Sequence, residues 1–108
     1  MSSYAFEVKD LIVSIEQKRD RRIKTLISID ERIENIINQL VGVGLDAKVT
    51  RTPDLDLGTV WTISIRDVSL EVSGSDLLDI IKEGTKDVDK HIEQLIKDAL
   101  YNTLQSLL

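Results

Sequence analysis

Trp61-Thr62-Ile63-Ser64-Ile65-Arg66-Asp67-Val68-Ser69-Leu70-Glu71-Val72 alternates apolar and polar residues with the period of a half-buried strand. The alternation changes phase at Arg66-Asp67. With these two residues as a hairpin loop, Ile65 falls opposite Val68, Ile63 opposite Leu70 and Trp61 opposite Val72. All six side chains then share one face, while Thr62, Ser64, Ser69 and Glu71 share the other. A slip of one residue would scramble that sorting, so the register is well specified. Arg-Asp is not the Asn-Gly of an ideal two-residue turn, which leaves the loop type open. A sheet with one apolar face has to be covered by the segments that flank it.

Working outward, Leu45, Ala47 and Val49 alternate with Asp46, Lys48 and Thr50 and add a first strand. The expected strands are 45–50, 60–65 and 68–73, a three-stranded antiparallel meander. Thr52-Pro53-Asp54-Leu55-Asp56-Leu57-Gly58 connects the first two, punctuated by Pro53 and Gly58. Asp54, Asp56 and Gly58 superficially resemble a calcium loop. The glycine is misplaced for that, and the twelfth position is Ile65 rather than Glu, so the stretch reads as a solvated loop. Leu55 and Leu57 either fold back onto the sheet edge or form a contact patch for a partner. Trp61 reads as a core anchor, with an exposed recognition tryptophan as the alternative.

Before the sheet, residues 4–41 carry a helical pattern. Val8, Ile12, Ile15, Arg19, Arg22, Leu26, Ile29, Ile33, Ile36 and Leu40 are spaced alternately by four and three, a heptad seam broken only by the two arginines. Such a helix is about 55 Å long at 1.5 Å per residue, against roughly 20 Å for a six-residue strand. Much of it overhangs the sheet, and its apolar stripe needs the C-terminal helix or another chain. A rival parse makes the β-branched run 23–29 a strand, with Ser28 or Asp30 capping a second helix. The unbroken heptad register favours one continuous helix. Gly42-Val43-Gly44 stops it, with Gly42 as the expected left-handed residue. A phosphate-binding glycine loop would need the opposite order, strand before and helix after.

After the sheet, Ser73-Gly74-Ser75-Asp76 reads as a turn and N-cap, followed by a helix over 76–106. Gly84-Thr85 inside it is either a stop followed by a fresh start, with Asp87 and Asp89 suiting the new N-terminus, or a weak point in one helix. From Val88 the apolar spacing runs through Ile92, Leu95, Ile96, Leu100 and Leu104 to an apolar end at Leu107-Leu108, which is expected to be docked. The fold class is therefore α+β: a long N-terminal helix, a three-stranded antiparallel meander, and a long C-terminal helix broken or weakened at Gly84. All of it fits one domain over 1–108.

The composition excludes several functions. There is no cysteine, so no disulfide, thiolate metal site or cysteine nucleophile is available. No apolar run approaches the ~20 residues of a membrane span. The start has neither a basic nor an apolar signal region, which makes a cytoplasmic location the expectation. His91 is the only histidine and lies among Asp87, Asp89 and Lys90, a setting for a solvated residue. It cannot form a multi-histidine metal site. No nucleophile turn is present either, so the chain reads as no enzyme, with no cofactor and no metal.

The net charge is −5, yet one basic cluster stands out: Lys18, Arg19, Arg21, Arg22 and Lys24. At 100° per residue it forms a collar around the helix. It either contacts phosphates or an acidic partner, or pairs with carboxylates of the C-terminal helix near Glu93 and Asp98. No aromatic residues interleave with it, which gives base stacking no platform.

Three functional readings follow. The first is a non-enzymatic assembly module that forms a homo-oligomer, or binds a partner's helix, in coiled-coil fashion. Its interface residues would be Ile12, Ile15, Leu26, Ile29, Ile33, Ile36, Leu55 and Leu57. The second is nucleic-acid binding through the collar. The third comes from outline alone: two long heptad helices joined through a small antiparallel sheet are similar to prefoldin-type chaperone subunits. That resemblance implies a holdase acting through its helix tips, although one three-stranded meander departs from the single hairpin of simpler prefoldin subunits. Abundant isoleucine with scarce Asn, Gln and Met leans toward a thermophile composition, which an unfolding midpoint in the mesophile range would contradict.

Overall fold

The computed structural model describes residues 3–81 and 87–108. In chain order the elements are α1 (Ser3–Gly42), β1 (Ala47–Arg51), β2 (Val60–Ile65), β3 (Val68–Ser73), α2 (Gly74–Ile80) and α3 (Val88–Ser106). The strands form one antiparallel sheet in the order β1-β2-β3. The fold is α+β, and the molecule is elongated, 66 × 29 × 24 Å.

The hairpin register is the one the alternation requires. Trp61 pairs with Val72, Ile63 with Leu70 and Ile65 with Val68. Arg66 alone of the two loop residues takes a positive φ, 53°, a conformation that costs a residue with a Cβ about 1–2 kcal/mol. β1 runs from Ala47 to Arg51 rather than over 45–50. Its partners are Ile65 for Ala47, Ile63 for Val49 and Trp61 for Arg51. The period that places Ala47 and Val49 on the inner face therefore places Arg51 there too.

The helix start and stop signals act one or two residues from where they were expected. Gly42 is the last helical residue, and Gly44, not Gly42, takes the positive φ, 89°. The Gly44 N–H donates to the Val41 carbonyl at 3.0 Å and the Leu45 N–H to the Leu40 carbonyl at 3.1 Å. This is a Schellman closure, and the two residues it joins, Leu45 and Leu40, both pack on the core. That closure occupies Leu45 and delays the strand to Ala47. Ser73 caps α2, its hydroxyl accepting from the Asp76 N–H at 3.4 Å, so that helix starts at Gly74 and not at residue 76. The expected C-terminal helix is two helices. Gly84 and Thr85 lie outside the described residues, and Asp87 caps α3 by accepting from the Lys90 N–H. Leu107 and Leu108 are exposed and not docked on this chain.

The core lies between the inner face of the sheet and the three helices. Leu26, Ile29, Ile33, Ile36 and Ile37 come from α1, and Ala47, Trp61, Ile63, Ile65 and Val72 from the sheet. Leu77 of α2 and Ile92, Ile96 and Leu100 of α3 complete it. Residues 23–29 are helical, and α1 runs unbroken through them. Gly74 sits at the tightest point. A Cβ there would lie 2.8 Å from Leu26 Cδ2, 3.1 Å from the Thr59 carbonyl oxygen and 3.3 Å from Trp61 Cζ3. Overpacking of this kind costs about 1–3 kcal/mol, more than the helical gain of about 0.5–1 kcal/mol from replacing glycine with alanine. Gly74→Ala is therefore expected to lower stability by about 1–2 kcal/mol, read as a lower urea midpoint at unchanged slope.

Candidate functional site

Where α1 leaves the core, its surroundings change abruptly. Leu26 is completely buried, whereas every residue from Ser3 to Arg21 is exposed. This overhang still carries the seam: Val8, Ile12 and Ile15 continue the spacing of Leu26, Ile29, Ile33 and Ile36. Ile12 and Ile15 are 49% and 54% exposed. Tyr4 and Leu11 border the same stripe and are also exposed. The structure thus divides the eight residues read as a partner interface. Leu26, Ile29, Ile33 and Ile36 belong to the chain's own core, because the sheet and α3 cover that half of the helix. Ile12 and Ile15 remain open to a partner.

Leu55 and Leu57 are divided in the same way. Leu55 is half-buried against the core, and Leu57 is exposed. The loop that positions them is held by its own polar groups. The buried Thr59 hydroxyl donates to the Asp54 carbonyl at 3.0 Å and accepts from the Asp56 N–H at 2.8 Å. Asp56 Oδ1 accepts from the Gly58 N–H at 2.8 Å, closing an Asx turn. The Asp56 carboxylate and the Asp54 carbonyl thus serve loop geometry. Among the described residues no three carboxylate, histidine or cysteine side chains gather in a metal-holding group.

Leu57 and Gly58 face α1 across an open groove of about 660 Å³ whose helical wall includes Ile15, Arg19, Arg22 and Ile23. Here the basic collar separates. Lys18, Arg19 and Arg22 line the groove, and Arg21 and Lys24 do not. None of the five cations makes an ion pair with a described residue. The expected pairing with α3 is absent among the described residues. Glu93 pairs within its own helix with Lys97 at 3.1 Å, and Asp98 accepts from Gln94 at 2.8 Å. The groove is therefore an apolar trough edged by three cations on the helix and by Asp56 on the loop, with Leu26, the first core residue of α1, among its lining.

Trp61 is wholly buried and is no recognition tryptophan. Its Nε1–H donates to Asp30 Oδ1 at 2.8 Å, and Arg51 Nε approaches the same oxygen at 3.2 Å. Arg51 Nη1 also donates to the Thr52 and Pro53 carbonyls at 3.1 Å each. One carboxylate thereby ties α1 to the sheet and to the loop that walls the groove. Sequence reasoning considered Asp30 only as a helix cap in the rival parse and passed over Arg51. The available signal was the strand period continued one step, from Val49 to Arg51. Among the described residues, no helix is long and apolar enough to cross a membrane.

Compared with protein-family models, with curated proteins and with solved structures, the chain matches none.

Removing the Asp30 carboxylate leaves a buried indole N–H without its acceptor, a loss of about 1–3 kcal/mol. An amide keeps an oxygen for the indole and gives up only a partly exposed ion pair, worth less than about 1 kcal/mol. Asp30→Ala is therefore expected to destabilise more than Asp30→Asn in urea unfolding followed by the fluorescence of the single tryptophan. Equal losses would contradict the hydrogen-bond role.

Proposed function

We propose that this chain is a non-enzymatic assembly module that associates through the overhanging half of α1. One observation carries the reading: Val8, Ile12 and Ile15 prolong the seam of the core into solvent on a helix 40 residues long. Burial of apolar surface contributes about 25 cal/mol per Å², so a stripe of this register is a standing drive for helix-on-helix contact. The small α+β head serves as an anchor that fixes the direction in which the helix projects. Tyr4, Phe6, Leu11 and Val13 raise the apolar content of the same segment, which suits a protein interface better than a solvated spacer.

A second reading rests on a separate observation, the lack of ion pairs at Lys18, Arg19, Arg21, Arg22 and Lys24 with any described residue. Under it, the collar holds an anionic polymer such as a nucleic acid, and affinity falls steeply with salt.

Light scattering at low and high salt tests the first reading. The expected result is a dimer or larger species that persists in high salt. Ile12→Glu combined with Ile15→Glu should convert it to a monomer with unchanged circular dichroism, since neither side chain belongs to the core. A wild-type monomer at both salts would overturn the assembly reading. Salt-sensitive binding of single- or double-stranded DNA that is lost on Arg21→Glu with Arg22→Glu would support the second.

A further inference from the structure

We propose that the occupant of the overhang is a second copy of this chain, laid antiparallel so that Ile12 of each copy meets Ile15 of the other. In this arrangement the first turns of each α1 close the groove beside Leu57 of its partner. The inference rests on the assembly reading and deepens it by naming partner, orientation and register.

Orientation follows from the two seam arginines. In a parallel pair, equivalent seam positions face each other, so Arg19 would lie against Arg19 and Arg22 against Arg22. Two successive layers of like charge on the seam of an interface are unfavourable. In the antiparallel pair with Ile12 opposite Ile15, Arg19 meets Val8 and Arg22 meets Ala5. Each arginine then covers a small apolar side chain with its methylene stem and keeps its guanidinium at the rim.

The charges beside the seam fix the register. Lys9 and Glu16 flank it on one side, and Lys18 on the other. With Ile12 opposite Ile15, Lys9 of each copy lies beside Glu16 of the other, giving two opposite-charge pairs related by the twofold axis. A slip of one heptad in one direction sets Lys9 beside Lys9. A slip in the other sets Glu16 beside Glu16 and Lys18 beside Lys18. A parallel pair places neither Lys9 nor Glu16 beside an opposite charge. The segment is complementary to itself in one arrangement, which is what an isologous dimer requires of a single surface.

The groove fits the same arrangement. Overlap from Ala5 to Arg22 spans roughly 25 Å and brings Tyr4 of one copy level with Ile23 of the other. Tyr4 is 72% exposed in the single chain. It lies on the Lys18 side of the seam, so its ring meets the wall of the groove formed by Lys18 and Arg22, where a cation can stack on its face. Each groove is thus completed by a residue from the partner copy.

The chain has no cysteine, so an introduced one is unique. Val8→Cys and Arg19→Cys are made separately in the full chain and oxidised alone and as an equimolar mixture. The mixture is expected to form the mixed disulfide at least tenfold faster than either variant forms its own. Ready self-crosslinking of Val8→Cys, with no advantage for the mixture, means a parallel pair and overturns the proposal. Charge exchange tests the register. Lys9→Glu or Glu16→Lys alone should weaken the dimer about tenfold, and the double exchange should restore it to within about twofold; a double exchange that does not recover overturns the register. Light scattering on the wild-type chain separates the two levels: a monomer removes the assembly reading itself, whereas a dimer with parallel crosslinks removes only the arrangement proposed here.

Discussion

A six-residue strand reaches about 20 Å, and a 40-residue helix about 60 Å. A sheet of this size can cover only a third to a half of such a helix, however well its inner face is packed. Covalent continuity fixes where the cover falls. Gly44 turns the chain back immediately after α1, so β1 and the hairpin lie against the C-terminal half of the helix. The buried residues of α1 accordingly run from Leu26 to Ile37. The N-terminal half is left with the apolar pattern of a core helix and no core. The projecting helix, the groove at its base and the exposed isoleucines all descend from that mismatch.

What keeps the mismatch in one geometry is a polar contact inside an apolar layer. Trp61 packs into the core beside Gly74, and its one polar atom needs an acceptor. Asp30 supplies it from α1, one turn beyond Leu26, and holds Arg51 with the same oxygen. Apolar packing alone tolerates small slides of a helix over a sheet. A hydrogen bond of 2.8 Å between fixed elements does not, because sliding would leave the indole N–H buried and unpaired. Arg51 extends the constraint to the loop through the Thr52 and Pro53 carbonyls, so Leu57 stands at a set distance from the helix. The position of the groove wall is thus determined by a carboxylate some distance along α1.

Much of this architecture was legible in the sequence because it depends on periodicity. Strict alternation about Arg66-Asp67 could be satisfied by one register only, and the heptad spacing from Val8 to Leu40 favoured one helix over the break that a strand over 23–29 would need. The misplaced boundaries have local causes. Gly42 and Gly44 are both glycines at a helix end, and which of them takes the left-handed conformation depends on where the Leu40 carbonyl finds its partners. Ser73 is at once the end of β3 and the cap of α2, which a reading that ends one element before starting the next cannot see. The division of the seam into a covered and an uncovered half was not legible, since Ile29 and Ile15 are identical residues at equivalent heptad positions. Only the three-dimensional reach of the sheet distinguishes them. Asp30 was hidden for a similar reason: a carboxylate on a helix among other charges looks solvated until the strand period brings Trp61 and Arg51 to it.

Arg19 and Arg22 stand at the junction between the two halves, and their place there has a physical consequence. Isoleucine at both positions would make the seam uninterrupted from Val8 to Leu40, and a partner helix could slide along it by whole heptads at little cost. Two cations at the edge of the head end that freedom. Arg22 is half-buried and Arg19 is exposed, so each can keep its charge in water while its stem lies on apolar neighbours. A partner that brought bulky apolar groups to these layers would have to displace the guanidinium groups, whereas one that brought small residues or an aromatic face would not. The arginines therefore lower the gross apolar attraction of the stripe and raise its selectivity, as single polar seam residues do in coiled coils at some cost in stability. On a helix whose exposed half would otherwise be an indiscriminate apolar rod, that exchange favours one defined contact over aggregation.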